Sequence, residues 1–108
     1  MPQKFHIAIA THDIEATVRD YSRRLGADPC VVVPGAYALW RTATLNFSVR
    51  QAPDCQPGEL RHLGWEDEAA TDFLTDTDCN GILWETFAAV HQAAEIRELW
   101  PAANPAPE

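Results

Sequence analysis

No stretch of this 108-residue chain approaches the roughly 20 consecutive apolar residues that a helix needs to cross a bilayer. Residues 1–11 have neither the basic start nor the apolar run of a secretory leader. These absences point to a cytoplasmic protein with no membrane partner. Basic residues are scarce as well: 8 Lys and Arg stand against 16 Asp and Glu, for a formal net charge of −8. Such a surplus opposes non-specific attraction to a phosphate backbone, so nucleic acid is not an expected partner. Cys30, Cys55 and Cys79 are odd in number and lack any C-x-x-C spacing, which speaks against a disulfide framework and a structural zinc knuckle. Reduced thiols are the simpler account, with Cys30 filling the core of a strand and the other two in loops.

A chain of this length suffices for one domain with one core, spanning 1–108. Its organising stretch is 5–26. Phe5, Ile7 and Ile9 alternate with His6, Ala8 and Ala10, the pattern of a strand. The first set is expected to face the core, leaving His6 on an open face with space before its ring. Asp13 can cap a helix beginning at Ile14, whose stripe Ile14, Val18, Tyr21 and Leu25 recurs at helical spacing until Gly26. Glu15 to Arg19 and Asp20 to Arg24 give i,i+4 pairs on its outer surface.

Strands follow at 30–33, 36–41 and 43–51, with the Pro34-Gly35 turn after the first. The loop 52–58 marks the midpoint. Strand 59–67 places His62, Gly64 and Glu66 on one face and Leu63 and Trp65 on the other. A brief strand at 72–77, a turn at 78–81 and a strand at 82–89 form a hairpin in which Leu83, Glu85 and Phe87 share a face. A helix at 91–100 ends at Pro101, and the tail 102–108 is expected to fray. Trp40, Trp65 and Trp84 are core residues by default, unless one of them lines a pocket.

His6, His62 and Glu85 thus supply two imidazoles and a carboxylate from three separate strands. Three such ligands leave coordination positions for water or substrate, as catalytic metal sites require. The pattern alone also fits, and on its own favours, two hydrogen-bonded, partly buried histidines and a Glu85 paired with an arginine such as Arg41 or Arg50.

Phe5-His6-Ile7-Ala8-Ile9, then Asp13-Ile14-Glu15-Ala16 through Tyr21-Ser22 to Leu25-Gly26, resembles the opening β-α module of the vicinal oxygen chelate superfamily: glyoxalase I, bleomycin-resistance proteins and extradiol dioxygenases. Gly58-Glu59-Leu60-Arg61-His62-Leu63-Gly64 resembles the start of that family's second module, and 75–87 its closing D-P-D-G-N-x-W-E-x-F hairpin. The nearest branch is the cadmium-induced and organoarsenical-lyase group.

The resemblance implies an α+β fold of paired β-α-β-β-β modules, a curved mixed sheet. The first module spans about 4–51 and the second about 59–90, with a C-terminal helix at about 91–100. It also implies a divalent cation (Fe, Zn, Mn or Ni) on His6, His62 and Glu85, acting as a Lewis acid on a small oxygen-bearing substrate in lyase, isomerase or dioxygenase chemistry. Glu66, beside His62, is the candidate general base. The second module is truncated, for only 67–72 separates its two matching strands, and the branch's adjacent cysteine pair is missing. A homodimer is expected to close the cavity. The alternative reading is a non-catalytic protein of the bleomycin-resistance kind that sequesters an aromatic or cationic small molecule through its tryptophans.

Overall fold

The structure, a computed structural model, describes residues 3–103. The expected fraying of 102–108 falls, from residue 104 on, outside the described residues. Seven strands and two helices follow in the order β1 (Gln3–Thr11), α1 (Ile14–Leu25), β2 (Val31–Val33), β3 (Tyr37–Arg41), β4 (Leu45–Gln51), β5 (Leu60–Asp67), β6 (Leu74–Thr77), β7 (Leu83–Phe87) and α2 (Ala89–Leu99). The class is α+β, as the pattern indicates. No described helix is long and apolar enough to cross a membrane.

All strands join one curved mixed sheet in the order β2-β3-β4-β1-β5-β7-β6. The first of the described strands is therefore the central one. It runs parallel to β4 and antiparallel to β5, while β5 runs parallel to β7. Chain reversals occur at the antiparallel pairs β2-β3, β3-β4 and β6-β7.

The entry to α1 follows from local chemistry. Asp13 Oδ1 accepts the Ala16 amide proton at 3.0 Å, satisfying a first-turn donor. At the far end Gly26 takes φ 66°, and its amide donates to the Ser22 carbonyl. Ile14, Val18, Tyr21 and Leu25 pack with Ala38, Trp40 and Val49, closing the outer face of β3 and β4. Trp40 is fully buried and its indole N–H donates to the Ala27 carbonyl at 3.1 Å. Losing that ring to alanine costs on the order of 3–5 kcal/mol.

The opposite sheet face belongs to α2, whose Ile96 packs with Val31, Tyr37 and Leu39. This corrects the expectation of an open face around His6. His6 is 2% exposed and Ala8 and Ala10 are fully buried, whereas Phe5, Ile7 and Ile9 are half-buried. The curved sheet and α2 enclose the small-residue face, so the alanines are small because that side is crowded. α1 reaches only half of the outer face, leaving Phe5 and Trp65 in contact with each other, ring centroids 5.3 Å apart, beyond its cover.

Further expectations change at the edges. Cys30 is exposed, because it precedes the edge strand β2 and has one strand neighbour instead of two. Trp65 is 38% exposed on the uncovered outer face. Asp20 pairs with both Arg23 and Arg24, whereas Glu15 turns to accept the Gly35 amide proton across the β2-β3 turn.

Candidate functional site

Three neighbouring strands bring His6, Gly64 and Glu85 into one row: Gly64 lies opposite His6 on β1 and opposite Glu85 on β7. A side chain at position 64 would stand between the other two. Its absence lets the imidazole and the carboxylate converge over β5, where His62 projects from the same face one pleat along. The β5-β7 approach is also close, since a Cβ built on Gly64 would collide with the Glu85 carbonyl.

The convergence is tight. His62 Nε2 faces His6 Nε2 at 3.0 Å and Glu85 Oε1 at 3.2 Å, and one ligand atom from each residue lies within 4.8 Å of the others. The three residues singled out in the sequence are therefore brought together at the wall of a cavity of about 280 Å³, which Phe73, Leu83 and Phe87 also line. That volume is near the lower end for small-molecule sites.

Burial sets the charge state. Desolvation, with like charge from His6, Arg61 and Arg50, pushes the His62 pKa down to about 3. Desolvation also lowers His6, outweighing its hydrogen bonds to Asn46. Both rings are neutral near pH 7, as ligating imidazoles must be. Glu85 is raised by desolvation and by Glu95, against the pull of Arg61 and Arg50. The His62–Glu85 contact is thus a neutral imidazole beside a carboxyl group.

A second group of residues fixes His6. Its Nδ1 lies 2.9 Å from Asn46 Oδ1 and 3.1 Å from the Asn46 carbonyl oxygen. Both are acceptors, so Nδ1 carries the proton and Nε2 presents its lone pair to the cavity. The amide of Asn46 is oriented in turn: its Nδ2 donates to Glu66 Oε1 and to Gln92 Oε1, each at 2.8 Å. A carboxylate only accepts, so Glu66 forces the Asn46 oxygen toward His6. Arg41 closes the chain, with Nε and Nη2 donating to the two Glu66 oxygens at 2.9 and 2.8 Å. Burial raises the Glu66 pKa, but the hydrogen bonds from Arg41 and Asn46 and the charges of Arg41 and Lys4 more than offset it, and the net shift is downward.

Glu66 accordingly does not join the other three. It lies outside the cavity lining, buried and held by Arg41 and Asn46, and Arg41 is spent on it instead of on Glu85. The tryptophans lie outside this cavity's lining, although Trp84 lines a separate, open groove with Leu74, Asp76 and Asp78.

No protein-family model and no curated protein matches the sequence. Among solved structures, a chain of the NAD-dependent benzaldehyde dehydrogenase from Legionella pneumophila is similar, with TM-score 0.54 and 8% identity over 78% of this chain and 97% of that one. The likeness is one of fold.

Asn46, Gln92 and Arg61 are the participants that sequence reasoning missed, while Arg50, weighed there as a partner of Glu85, lines the cavity and acts on that carboxyl group electrostatically. Asn46 had a signal, its place with Thr44 and Ser48 on the polar face of the strand, and the pairing of β1 with β4 puts it directly opposite His6. Gln92 had none, because its approach depends on how α2 lies across the sheet.

Proposed function

We propose that the chain is a small metalloprotein of the vicinal oxygen chelate kind, in which His6, His62 and Glu85 hold a divalent cation that acts on a small oxygen-bearing substrate. The carrying observation is the convergence of two neutral imidazole nitrogens and a carboxylate oxygen at a cavity wall. Donors about 2.1 Å from one cation and at right angles to each other lie about 3 Å apart. The separations of 3.0 and 3.2 Å suit that arrangement. Two histidines and one carboxylate on one side of an ion leave its other positions free, a donor set used by iron and zinc enzymes alike.

The sheet supports the paired-module reading. In each half a first strand runs parallel to the half's last strand, β1 with β4 and β5 with β7, and the last strand is antiparallel to its predecessor. The second half has no helix between β5 and β6, the truncation that the spacing implies. The outer face around Phe5, Trp65 and Leu74, the last of these 62% exposed, is where that helix would lie. A second copy covering it is our reading of the assembly.

Within this reading the bound cation supplies Lewis acidity toward a carbonyl or hydroxyl oxygen of the substrate. The residues of the chain do the positioning. His6 offers Nε2 because Asn46 occupies Nδ1, and Asn46 is aimed by Glu66. The cavity supplies apolar walls in Phe73, Leu83 and Phe87 against which the body of a substrate can rest. Glu66 acts as an orienting residue, with Arg41 keeping it ionised.

Elemental analysis tests the proposal. Purified protein offered Fe, Zn, Mn and Ni salts and washed is expected to retain close to one equivalent of one metal, and His6→Ala and His62→Ala are expected to retain almost none. A folded wild type that holds no metal under any of these conditions would overturn it.

A further inference from the structure

The same cavity that His6, His62 and Glu85 enter is lined by two arginines, Arg50 and Arg61. In a chain with net charge −8 and only 8 bases, two of those bases face a single small cavity. Their placement has separate causes. Arg50 continues the face of Asn46 and Ser48 along β4. Arg61 is the extra residue of a β-bulge: the pairing of β1 and β5 shifts between Ala8, opposite His62, and Ile9, opposite Leu60. In a regular strand Arg61 and His62 would point to opposite faces. The bulge brings both to the cavity.

Neither guanidinium forms an ion pair with a described carboxylate, and Arg50 Nε is buried without a hydrogen-bond partner. Arg50 is held against Trp100, its Cζ 5.2 Å from the ring centre. Arg50 repels Arg61, and both act electrostatically on Glu85. Two guanidinium groups drawn into one small volume, one with a buried donor left open, favour a bound group that can accept hydrogen bonds from them. Glu95 is the remaining carboxylate of the lining, so the four charged side chains sum to zero. A divalent cation on the His6, His62 and Glu85 group would leave two positive charges unbalanced.

We infer that the cavity binds a small organic carboxylate, its carboxyl group on Arg50 and Arg61 and its apolar body against Phe73 and Phe87. The guanidinium fork matches the two oxygens of a carboxylate. With the proposed cation bound, this deepens the functional reading by naming the substrate class: an acid whose other oxygen reaches the His6, His62 and Glu85 side of the cavity. The arginine site itself exists without the cation.

Calorimetric titration of the metal-free protein with benzoate, neutral benzamide and inorganic phosphate tests the inference. Charge-assisted hydrogen bonds predict that benzoate binds about tenfold or more tightly than benzamide. Arg50→Gln and Arg61→Gln are each expected to remove most of that preference. Arg50→Lys and Arg61→Lys, which keep the charge and lose the fork, are expected to fall between, with circular dichroism and melting confirming that each variant is folded. Equal binding of benzoate and benzamide, or a preference for benzoate that survives both glutamine variants, would overturn the carboxylate site. Phosphate binding tighter than benzoate would overturn the assignment to a carboxylate. Metal uptake measured on separate aliquots of the same preparations, offered metal and washed, separates the two ideas: metal uptake without anion preference removes this inference alone, and anion preference without metal uptake removes the metalloprotein reading alone.

Discussion

Asn46 has every side-chain hydrogen-bonding position spoken for: two protons go to Glu66 and Gln92, and its oxygen receives His6 Nδ1 and Gln92 Nε2. Such a residue specifies a tautomer, since the acceptor-only Glu66 cannot tolerate the amide turned around. Glu66→Gln relaxes that demand, because a glutamine can present either a donor or an acceptor. Under the metalloprotein reading, this variant is expected to weaken metal binding on the order of 10- to 100-fold, the range found for residues that orient a ligand. The check is competition against a chelator, and unchanged affinity would mean that Glu66 serves stability alone. The same variant has a pH signature. The folded pKa of Glu66 lies below its ordinary value of 4.5, so the unfolded chain binds the proton more readily. Its stabilising contribution is full above pH 4.5 and is lost as pH falls through the lower folded value. Urea titrations of metal-free protein are expected to show an acid loss of stability in wild type that is shallower in Glu66→Gln.

Among the elements, β5 carries the most information. Its Gly64 keeps the row between His6 and Glu85 clear and lets β7 approach, so Gly64→Ala confronts a backbone carbonyl that cannot move without shifting its strand. Destabilisation of about 3 kcal/mol is expected, at the upper end for overpacking, together with loss of metal binding. Denaturant midpoints and metal content check this, and a variant as stable and as metal-competent as wild type would show that the row does not govern the site.

The legibility of the site follows from these strand positions. His62, Gly64 and Glu66 alternate in the sequence, so their shared face could be read, and the hairpin turn at 78–81 put Glu85 in phase. What could not be read was a one-residue bulge, which moves Arg61 into the cavity, and the long-range Arg41–Glu66 pair, which takes Glu66 away from it. Alternation describes a regular strand, and neither an irregularity nor a partner 25 residues away leaves a mark on it.

For the whole molecule, the class and the run of elements were legible because each has local signals in capping, periodicity and turn residues. Which face of the central strand is enclosed was not, because that depends on sheet curvature and on α2. The outer face under no helix bears on assembly. Sedimentation is expected to show two chains per particle at micromolar concentration, and Trp65→Glu is expected to shift this toward a single chain. A monomeric wild type would mean that the aromatic face stays in water.

The central position of β1 also sets an order of events during synthesis. It is made before the other described strands, yet its neighbours are β4 and β5, and His6 meets Asn46 only 40 positions later and His62 only 56 positions later. Glu85 comes later still. Until β4 and then β5 are made the nascent chain holds its innermost strand with edges bare, a topology rich in distant contacts that folds slowly and invites association between incomplete chains. His6, His62 and Glu85 therefore come together only once β7, the last described strand, has been made, and whatever they bind arrives after that.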